Sequence, residues 1–353
     1  MARRVLKEPE EIIELDRVEG FAHPRETVTL AGQAAALEIT ARAIRSGKPP
    51  QAWLITGPPG VGKATLAYRV ARYMLAYGPT DRGAADLSVP ANEPAAIQVS
   101  SSSHPGLMVL KRGLNKEGKP MTVLSVDEVR KLQGFFGLTS GAGGWRVAIV
   151  DTADDMNDNA ANALLKMLEE PPSRAMLLLI SNTPGRLLPT IRSRCQRLEL
   201  RPLTDVTIDS ELKALLPDVN AKDRGALTRH SGGSIGMALR LAGGEGPELA
   251  READRLLDTA GTPDFAGILA LGDRVARITG GLDSFGDFLE QALTDRIRQR
   301  AREGAAGLDR WVDCLGRLTQ LFGRTGALHM EPRQTLVTSA RALEAASRRA
   351  GPV

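Results

Sequence analysis

A glycine-rich loop between an apolar run and a helical pattern constrains this chain more than any other feature. The apolar run is Ala52–Thr56, the loop reads Gly-Pro-Pro-Gly-Val-Gly-Lys, and Ala64–Leu75 has apolar residues at helical spacing. Strand, glycine loop and helix in this order form a phosphate-binding loop (P-loop), in which backbone N–H groups, the helix N-terminus and the lysine face the phosphates. The sequence therefore predicts a phosphate cradle made by Gly57, Gly60, Gly62 and Lys63.

Two further apolar runs, Arg146–Val150 and Met176–Ile180, flank a helical pattern that extends from Asn157 to Glu170 and stops at a pair of prolines. Strands without polar alternation, separated by helices, are typical of a parallel sheet that is covered on both faces. The first part of the chain is therefore expected to be an α/β P-loop domain.

Three domains are expected along the 353 residues. The α/β domain covers 1–202, a small helical domain covers 203–246, and an all-helical bundle covers 247–353. The second boundary is placed at the glycine-rich stretch Gly243–Gly246. Thr80–Ser103 is rich in Ala, Pro, Asn and Ser, which predicts a loop or a poorly ordered insertion inside the first domain.

Charge and cysteine content exclude several classes of protein. Lys plus Arg number 46 and Asp plus Glu 42, and the resulting net charge of +4 is too small to argue for DNA binding by itself. The two cysteines, Cys195 and Cys314, show no metal-ligand spacing, so neither zinc nor a disulfide is expected. The N-terminus lacks an apolar signal segment, and no apolar run approaches the ~18 residues of a membrane span. A cytoplasmic protein that makes no membrane contact is expected.

The residue after the P-loop lysine departs from the pattern of an active ATPase. A Ser or Thr hydroxyl at this position binds Mg²⁺, but here the residue is Ala64. Thr65 follows one residue later, where a helix has rotated its side chain by about 100°. We count Thr65 among the nucleotide-site residues but do not expect it to replace the lost ligand.

A second departure follows the strand Arg146–Val150. Asp151 is in place to hold a metal, but Thr152 occupies the position of the glutamate that polarises the attacking water. A threonine hydroxyl is far too weak a base at neutral pH. Asp154 is the alternative base, although three residues along the chain it is expected to point elsewhere. Both departures indicate the fold of an ATPase without its chemistry.

Four short segments resemble the AAA+ modules of bacterial clamp loaders. The resemblance spans residues 25 to 240, and it implies an AAA+ domain with a helical lid, followed by a C-terminal helical collar. The segments are Gly32-Gln33, His104–Leu107, Asn162–Pro172 (Asn-Ala-Leu-Leu-Lys-Met-Leu-Glu-Glu-Pro-Pro) and Thr190–Cys195, which contains Ser-Arg-Cys.

Within this family the chain resembles the non-hydrolysing delta-prime subunits. Motor subunits carry an arginine in a Gly-Ser-x-Arg pattern, whereas Gly233–Gly236 has glycine at that position. The delta-prime pattern lacks three features: this arginine, the metal-ligand hydroxyl and the glutamate. It keeps the Ser-Arg-Cys motif. The chain departs from many family members in having no cysteine before Cys195, and hence no four-cysteine zinc module.

The resemblance also implies partners and ligands. Such a subunit stands at the end of an open five-membered ring, beside gamma/tau motor subunits and a delta subunit. Through the complex it acts on a sliding clamp and primed DNA. It belongs to the DNA polymerase III holoenzyme, a DNA-directed DNA polymerase and nucleotidyltransferase, but no ATPase activity of its own is expected. Weak binding of ATP or ADP is expected to remain.

By the same resemblance, Arg194 is an arginine finger that acts in trans, with Ser193 beside it. A guanidinium presents a planar fork to phosphate oxygens and stabilises charge developing on a γ-phosphate. The alternative is that Arg194 only pairs with a nearby acid at the surface. Arg192 and Arg197 are expected to form a basic rim, and Cys195 a small packing residue without a catalytic partner.

Two other functions compete with this one. The first is an active AAA+ ATPase, either a motor clamp-loader subunit or a related loader, which steady-state ATP hydrolysis would reveal. The second is a structural adaptor that never binds a nucleotide. A P-loop kinase is disfavoured because Ala64 and Thr152 remove the metal ligand and the base.

Overall fold

A parallel sheet covered by helices forms the first part of the chain, and helices form the rest. The computed structural model describes residues 17–18, 20–80, 82–112, 121, 123–137, 144–243, 245–278, 280–328, 331–351 and 353. The strands in these ranges are β1 (Ala52–Thr56), β2 (Leu107–Leu110), β3 (Arg146–Val150), β4 (Ala175–Ser181) and β5 (Gln196–Glu199). Their order is β2-β3-β4-β1-β5, and each neighbouring pair is parallel.

The helices lie between the strands and fill the C-terminal half. Those in the described residues are α1 (Ala34–Arg45), α2 (Lys63–Tyr77), α3 (Pro94–Ser100), α4 (Val126–Gly137), α5 (Asp158–Glu169), α6 (Pro189–Arg194), α7 (Asp205–Leu215), α8 (Ala221–His230), α9 (Ile235–Ala242), α10 (Gly246–Asp258), α11 (Phe265–Val275), α12 (Gly281–Arg302), α13 (Leu308–Leu328) and α14 (Pro332–Ala350).

Alternate residues of each central strand enter two different apolar cores. In β3, Val147 and Ile149 pack with α1 and α2 on one face, while Ala148 and Val150 pack with α4 and α5 on the other. Because side chains alternate along a strand, burial on both faces requires the continuous apolar runs seen in the sequence. The expected doubly covered parallel sheet is confirmed.

The helical half contains two further cores. A small cluster of Ile208, Leu212, Ala238 and Leu239, with Leu227 of α8 packed against it, holds α7, α8 and α9 together, and we call these three helices the lid. A larger cluster, which includes Phe285, Leu289, Leu293 and Leu336, holds α10–α14, which we call the collar. The domain limits given above remain a prediction, and Gly244, within the second boundary, lies outside the described residues.

One expectation for the first domain was wrong. Thr80–Ser103 was expected to be a loop or a poorly ordered insertion, but Pro94–Ser100 forms α3. Proline suits the first turn of a helix, where its missing N–H is not needed. The short helix buries Ala95, Ala96 and Val99, and Leu87 ahead of it is fully buried. Four buried apolar side chains thus anchor a segment whose composition predicts a loop.

Candidate functional site

The P-loop (residues 57–63) turns sharply where β1 meets α2. Gly57 has φ 146° and Gly60 φ 72°, conformations that favour glycine. A β-carbon on Gly57 would also collide with the carbonyl oxygen of Leu200. The amide of Leu200 donates to the carbonyl of Thr56 at 2.8 Å, which fixes the loop against the strand end leaving β5. The glycines predicted from the sequence are therefore required by the backbone path.

Lys63 turns back on its own loop. Its side chain is buried, with 5% exposed, and Nζ donates to the carbonyls of Gly57 at 2.8 Å and Pro58 at 2.6 Å. Burial lowers the pKa of Lys63 to about 8, although the carboxylates of Asp151 and Asp154 act in the opposite direction. The ammonium of Lys63 is therefore hydrogen-bonded to two carbonyls of its own loop.

The lid lies directly on the P-loop. Ser234, the N-cap of α9, donates from Oγ to the carbonyl of Pro59 at 2.9 Å, and the amide of Gly236 donates to the carbonyl of Gly60 at 3.0 Å. A β-carbon on Gly236 would lie only 2.9 Å from the Cα of Gly60. Gly236 stands at the position of the arginine in the Gly-Ser-x-Arg pattern. Its backbone contacts the P-loop directly. Sequence reasoning noted the missing arginine but missed this contact.

The metal-ligand position of the site is apolar. Ala64, in the first turn of α2, is half-buried and packs against the apolar core that α2 shares with the sheet. Thr65 is half-buried one residue further along the helix. Neither residue contributes an oxygen at the position where the P-loop pattern requires one.

Thr152 and Asp154, which follow β3, are used in local contacts. Thr152 Oγ1 donates to Asp155 Oδ2 at 3.0 Å. Asp154 accepts from Ser181 Oγ at 2.7 Å and from the amides of Asn182 at 2.5 Å and Thr183 at 3.2 Å, so it ties the end of β4 to the turn after β3. These bonds hold its carboxylate at the end of β4, where its charge acts to raise the pKa of Lys63. That Asp154 does not replace the glutamate stays a prediction.

Two of the clamp-loader-like segments hold separate turns of the first domain in place. Gln33 donates from Nε2 to the carbonyls of Val61 at 3.2 Å and Arg201 at 2.7 Å, which joins the P-loop to the chain entering the lid. His104 Nδ1 accepts from the amide of Gly106 at 2.9 Å in the turn before β2, and burial lowers the pKa of its imidazole. A neutral histidine that accepts at Nδ1 stabilises this turn.

Arg194 lies at the opposite edge of the sheet from the P-loop. It ends α6, immediately before β5 begins, whereas the P-loop follows the end of β1. β1 and β5 are parallel neighbours. A groove of about 410 Å³ beside it is lined by residues at the starting ends of three strands, among them Ala52, Ala175 and Gln196.

The guanidinium of Arg194 is held by two acceptors. Nη2 pairs with Glu169 Oε1 at 2.9 Å, and Nη1 donates to the carbonyl of Thr190 at 3.2 Å. Ser193 is exposed and donates from Oγ to the same carbonyl at 3.1 Å. The surface ion pair considered from the sequence therefore exists, and the Arg194 side chain as a whole is 37% exposed.

The neighbouring residues differ in exposure. Arg197 is exposed on β5, but Arg192 is half-buried and its Nε has no hydrogen-bond partner, so it contributes less to a basic rim than the sequence suggested. Cys195 is buried, and this burial raises the pKa of its thiol to about 11. A thiol with this pKa is a packing group at neutral pH.

Neither a metal cluster nor a membrane-spanning helix is found within the described ranges. No three His, Cys, Asp or Glu side chains there are arranged to hold a metal ion, and the zinc content stays a prediction. None of the helices there combines the length and the apolar character that crossing a bilayer requires.

Comparison with known proteins points to one family. Residues 32–204 match the family described as DNA polymerase III, delta subunit. The chain is 42% identical over 194 residues to the DNA polymerase III subunit delta′ of Pseudomonas aeruginosa, covering 54% of this chain and 56% of that one. It is 33% identical over 204 residues to the delta′ subunit of Escherichia coli, covering 57% of each. The match thus spans about half the length of these relatives.

A solved structure is similar over a longer range but at lower identity. It is a DNA polymerase III gamma subunit-related protein from Thermotoga maritima, with a TM-score of 0.43 and 18% identity. The similarity covers 89% of this chain and 100% of that one.

Proposed function

Over residues 32–204 this chain belongs to the DNA polymerase III delta-subunit family, and on that premise we propose that it is the delta-prime subunit of a clamp loader. In this role it hydrolyses no ATP and lends Arg194 to the ATP site of a neighbouring subunit. The proposed partners are gamma/tau motor subunits and a delta subunit, and the complex places a sliding clamp on primed DNA in the cytoplasm. The polymerase activity belongs to the holoenzyme.

The observation that carries this proposal is the position of Arg194 relative to the P-loop. The two lie at opposite ends of β1 and β5, and a strand of five residues spans roughly 15 Å. An arginine at the starting edge of a sheet cannot reach a phosphate bound at the far edge of the same sheet. If Arg194 acts on a nucleotide, that nucleotide is held by another subunit.

The state of the chain's own site supports the absence of hydrolysis. Ala64 supplies no metal ligand and Thr152 no base, and Lys63 is bonded to the loop carbonyls. The lid rests on the loop through Ser234 and Gly236. These features disfavour an active ATPase, whose turnover would be near 1 s⁻¹, within the ordinary range for enzymes. Metal-dependent turnover of that size by the purified chain, abolished by Lys63→Ala, would contradict the proposal.

Replacing Arg194 in the reconstituted clamp loader tests the proposed role. Arg194→Ala should leave folding and assembly intact, because a partly exposed arginine contributes little to stability. It should remove the contribution of one ATP site and lower DNA- and clamp-stimulated hydrolysis in part. Clamp loading should fall further if the sites act in order. Arg194→Lys should not rescue it, because an ammonium lacks the bidentate fork.

The matched control is Arg348→Ala on α14. Arg348 also pairs with a glutamate, Glu344, but it lies on the collar and is 72% exposed. This variant should load clamps at the wild-type rate. If both Arg194 variants also load clamps at that rate, Arg194 is only a surface residue and the proposed mechanism is wrong.

A further inference from the structure

The ion pair between Arg194 and Glu169 joins the ends of two helices that are each fixed independently. Glu169 is the last residue of α5, which two prolines, Pro171 and Pro172, prevent from continuing. Met167 and Leu168 just before it are buried, with 8% exposed in each case. The glutamate therefore extends from a firmly packed helix end.

Arg194 extends from an equally fixed support. Ile191 in α6 is fully buried, and Cys195, which follows the helix, is 8% exposed. The guanidinium thus lies between two rigid anchors and is bonded to one acceptor on each helix, Glu169 on α5 and the carbonyl of Thr190 on α6.

The two bonds restrain the guanidinium and leave most of its N–H donors unused by these contacts. A guanidinium carries five N–H donors, and the two contacts use one on each terminal nitrogen. The remaining donors are available for an anion that approaches from outside, where the side chain is 37% exposed. A free arginine side chain has many rotamers to lose, so a group held in advance loses less freedom when it meets its target.

We propose that Glu169 is the positioning residue of Arg194, which it holds extended toward the neighbouring subunit's nucleotide. This inference rests on the proposed function of Arg194. Glu169 is 51% exposed, so its attraction for the arginine is screened by water and is weaker than that of a desolvated phosphate. Glu169 therefore orders the side chain before the subunits meet and does not compete with the phosphate afterwards.

A conservative substitution in the reconstituted clamp loader tests this role. Glu169→Gln keeps the size and one acceptor oxygen but removes the charge. It should lower the kcat contributed by the neighbouring ATP site about two- to fivefold, the range of an exposed ion pair, and leave the KM for ATP unchanged. In the Arg194→Ala background the same substitution should have no further effect, because Glu169 acts only through the arginine. Glu169→Asp should recover part of the rate.

The control is Glu344→Gln, which removes the charge from the matched pair on the collar and should not change the rate. Equal melting temperatures would show that the Glu169 variants are folded. If Arg194→Ala lowers hydrolysis and Glu169→Gln does not, the positioning role is wrong while the proposed function stands. If Arg194→Ala has no effect, both are wrong. A faster Glu169→Gln complex, or a further loss in the Arg194→Ala background, would also overturn the inference.

Discussion

Lys63 is buried, and burial disfavours the charged form of its side chain. Its ammonium is buried among loop carbonyls, and burial outweighs the attraction of Asp151 and Asp154, so its pKa falls to about 8. In the unfolded chain the ordinary value is 10.5. Below about pH 8 both states are protonated, and the folded state bears the full cost of burying the charge. Between these two values the folded state has released a proton that the unfolded state still binds.

Stability relative to a variant without this charge should therefore rise with pH. The free energy of unfolding of the native chain should gain about 2 kcal/mol over that of Lys63→Met between about pH 7 and pH 10. Urea unfolding of both proteins at the two pH values measures the difference. Lys48→Met, at an exposed lysine, is the control and should show no such gain. Parallel pH dependence of the native chain and Lys63→Met would mean that the lysine keeps its ordinary pKa.

At the scale of elements, the contact between α9 and the P-loop depends on two glycines. Helix propensity alone favours alanine over glycine within a helix by about 1 kcal/mol. Gly236 lies in the first turn of α9, where this preference would favour alanine. A side chain there would press on the Cα of Gly60, only 2.9 Å from the added carbon.

Gly236→Ala should consequently destabilise the protein by about 1–3 kcal/mol, because backbone on both sides leaves no flexible group to give way. Gly134→Ala is the matched control. Gly134 is a helical glycine in α4 with no atom within 4 Å of an added β-carbon, so alanine there should raise stability by about 0.5–1 kcal/mol. Thermal unfolding of the two variants compares them. A stabilising Gly236→Ala substitution would show that the lid does not rest on the loop.

The elements that sequence reasoning located are those with strong local patterns. β1 and β3 have the predicted bounds, and β4 extends the predicted strand by one residue at each end. β2 was missed because its apolar run is only four residues long, and β5 because three of its four residues are exposed and polar. Strands this short at the edges of the sheet give a weaker local signal than the longer apolar runs of the central strands.

In the candidate site, too, the features with a local sequence pattern were predicted and the contacts between distant segments were not. The glycines and the lysine of the P-loop were recognised because their spacing and flanking elements are local. The contact of Gly60 with Gly236 and the pair of Glu169 with Arg194 are made across the fold, between segments far apart in sequence. No periodicity reports such contacts, since they depend on how α9 and α6 pack. The missing arginine at Gly236 was the one signal that this end of the lid differs.

Over the whole molecule, α9 connects the P-loop to the collar. Its first turn contacts the loop, while Met237 and Leu241 enter the apolar core of the collar. Arg240 on the same helix pairs with Asp287 on α12 at 3.0 Å. A change at the P-loop that moves α9 must therefore disturb packing in the C-terminal half. The P-loop is thus linked through α9 to the collar, whereas Arg194 lies at the other edge of the sheet.

Nucleotide binding should be weak for this reason. The phosphate cradle retains its three glycines and its lysine, but a nucleotide must first break the bonds of Lys63 to Gly57 and Pro58 and lift α9. The apparent affinity is reduced by the small fraction of molecules in which the loop is open. We expect a Kd for ATP near or above about 1 mM by calorimetry, with no requirement for Mg²⁺, since Ala64 supplies no metal ligand.

Two variants test whether weak nucleotide binding is due to the contact of the lid with the P-loop or to a loss of phosphate affinity in the P-loop itself. Gly236→Ala pushes the lid from the loop and raises the open fraction, so it should bind ATP more tightly than the native chain. Lys63→Ala removes the cationic phosphate contact and should abolish what binding remains. Tight binding by the native chain that requires Mg²⁺ would mean that Thr65 or another oxygen replaces the lost ligand. If neither the native chain nor Gly236→Ala binds, the cradle has lost its phosphate affinity altogether. The chain would then act as an adaptor through Arg194 and its packing surfaces alone.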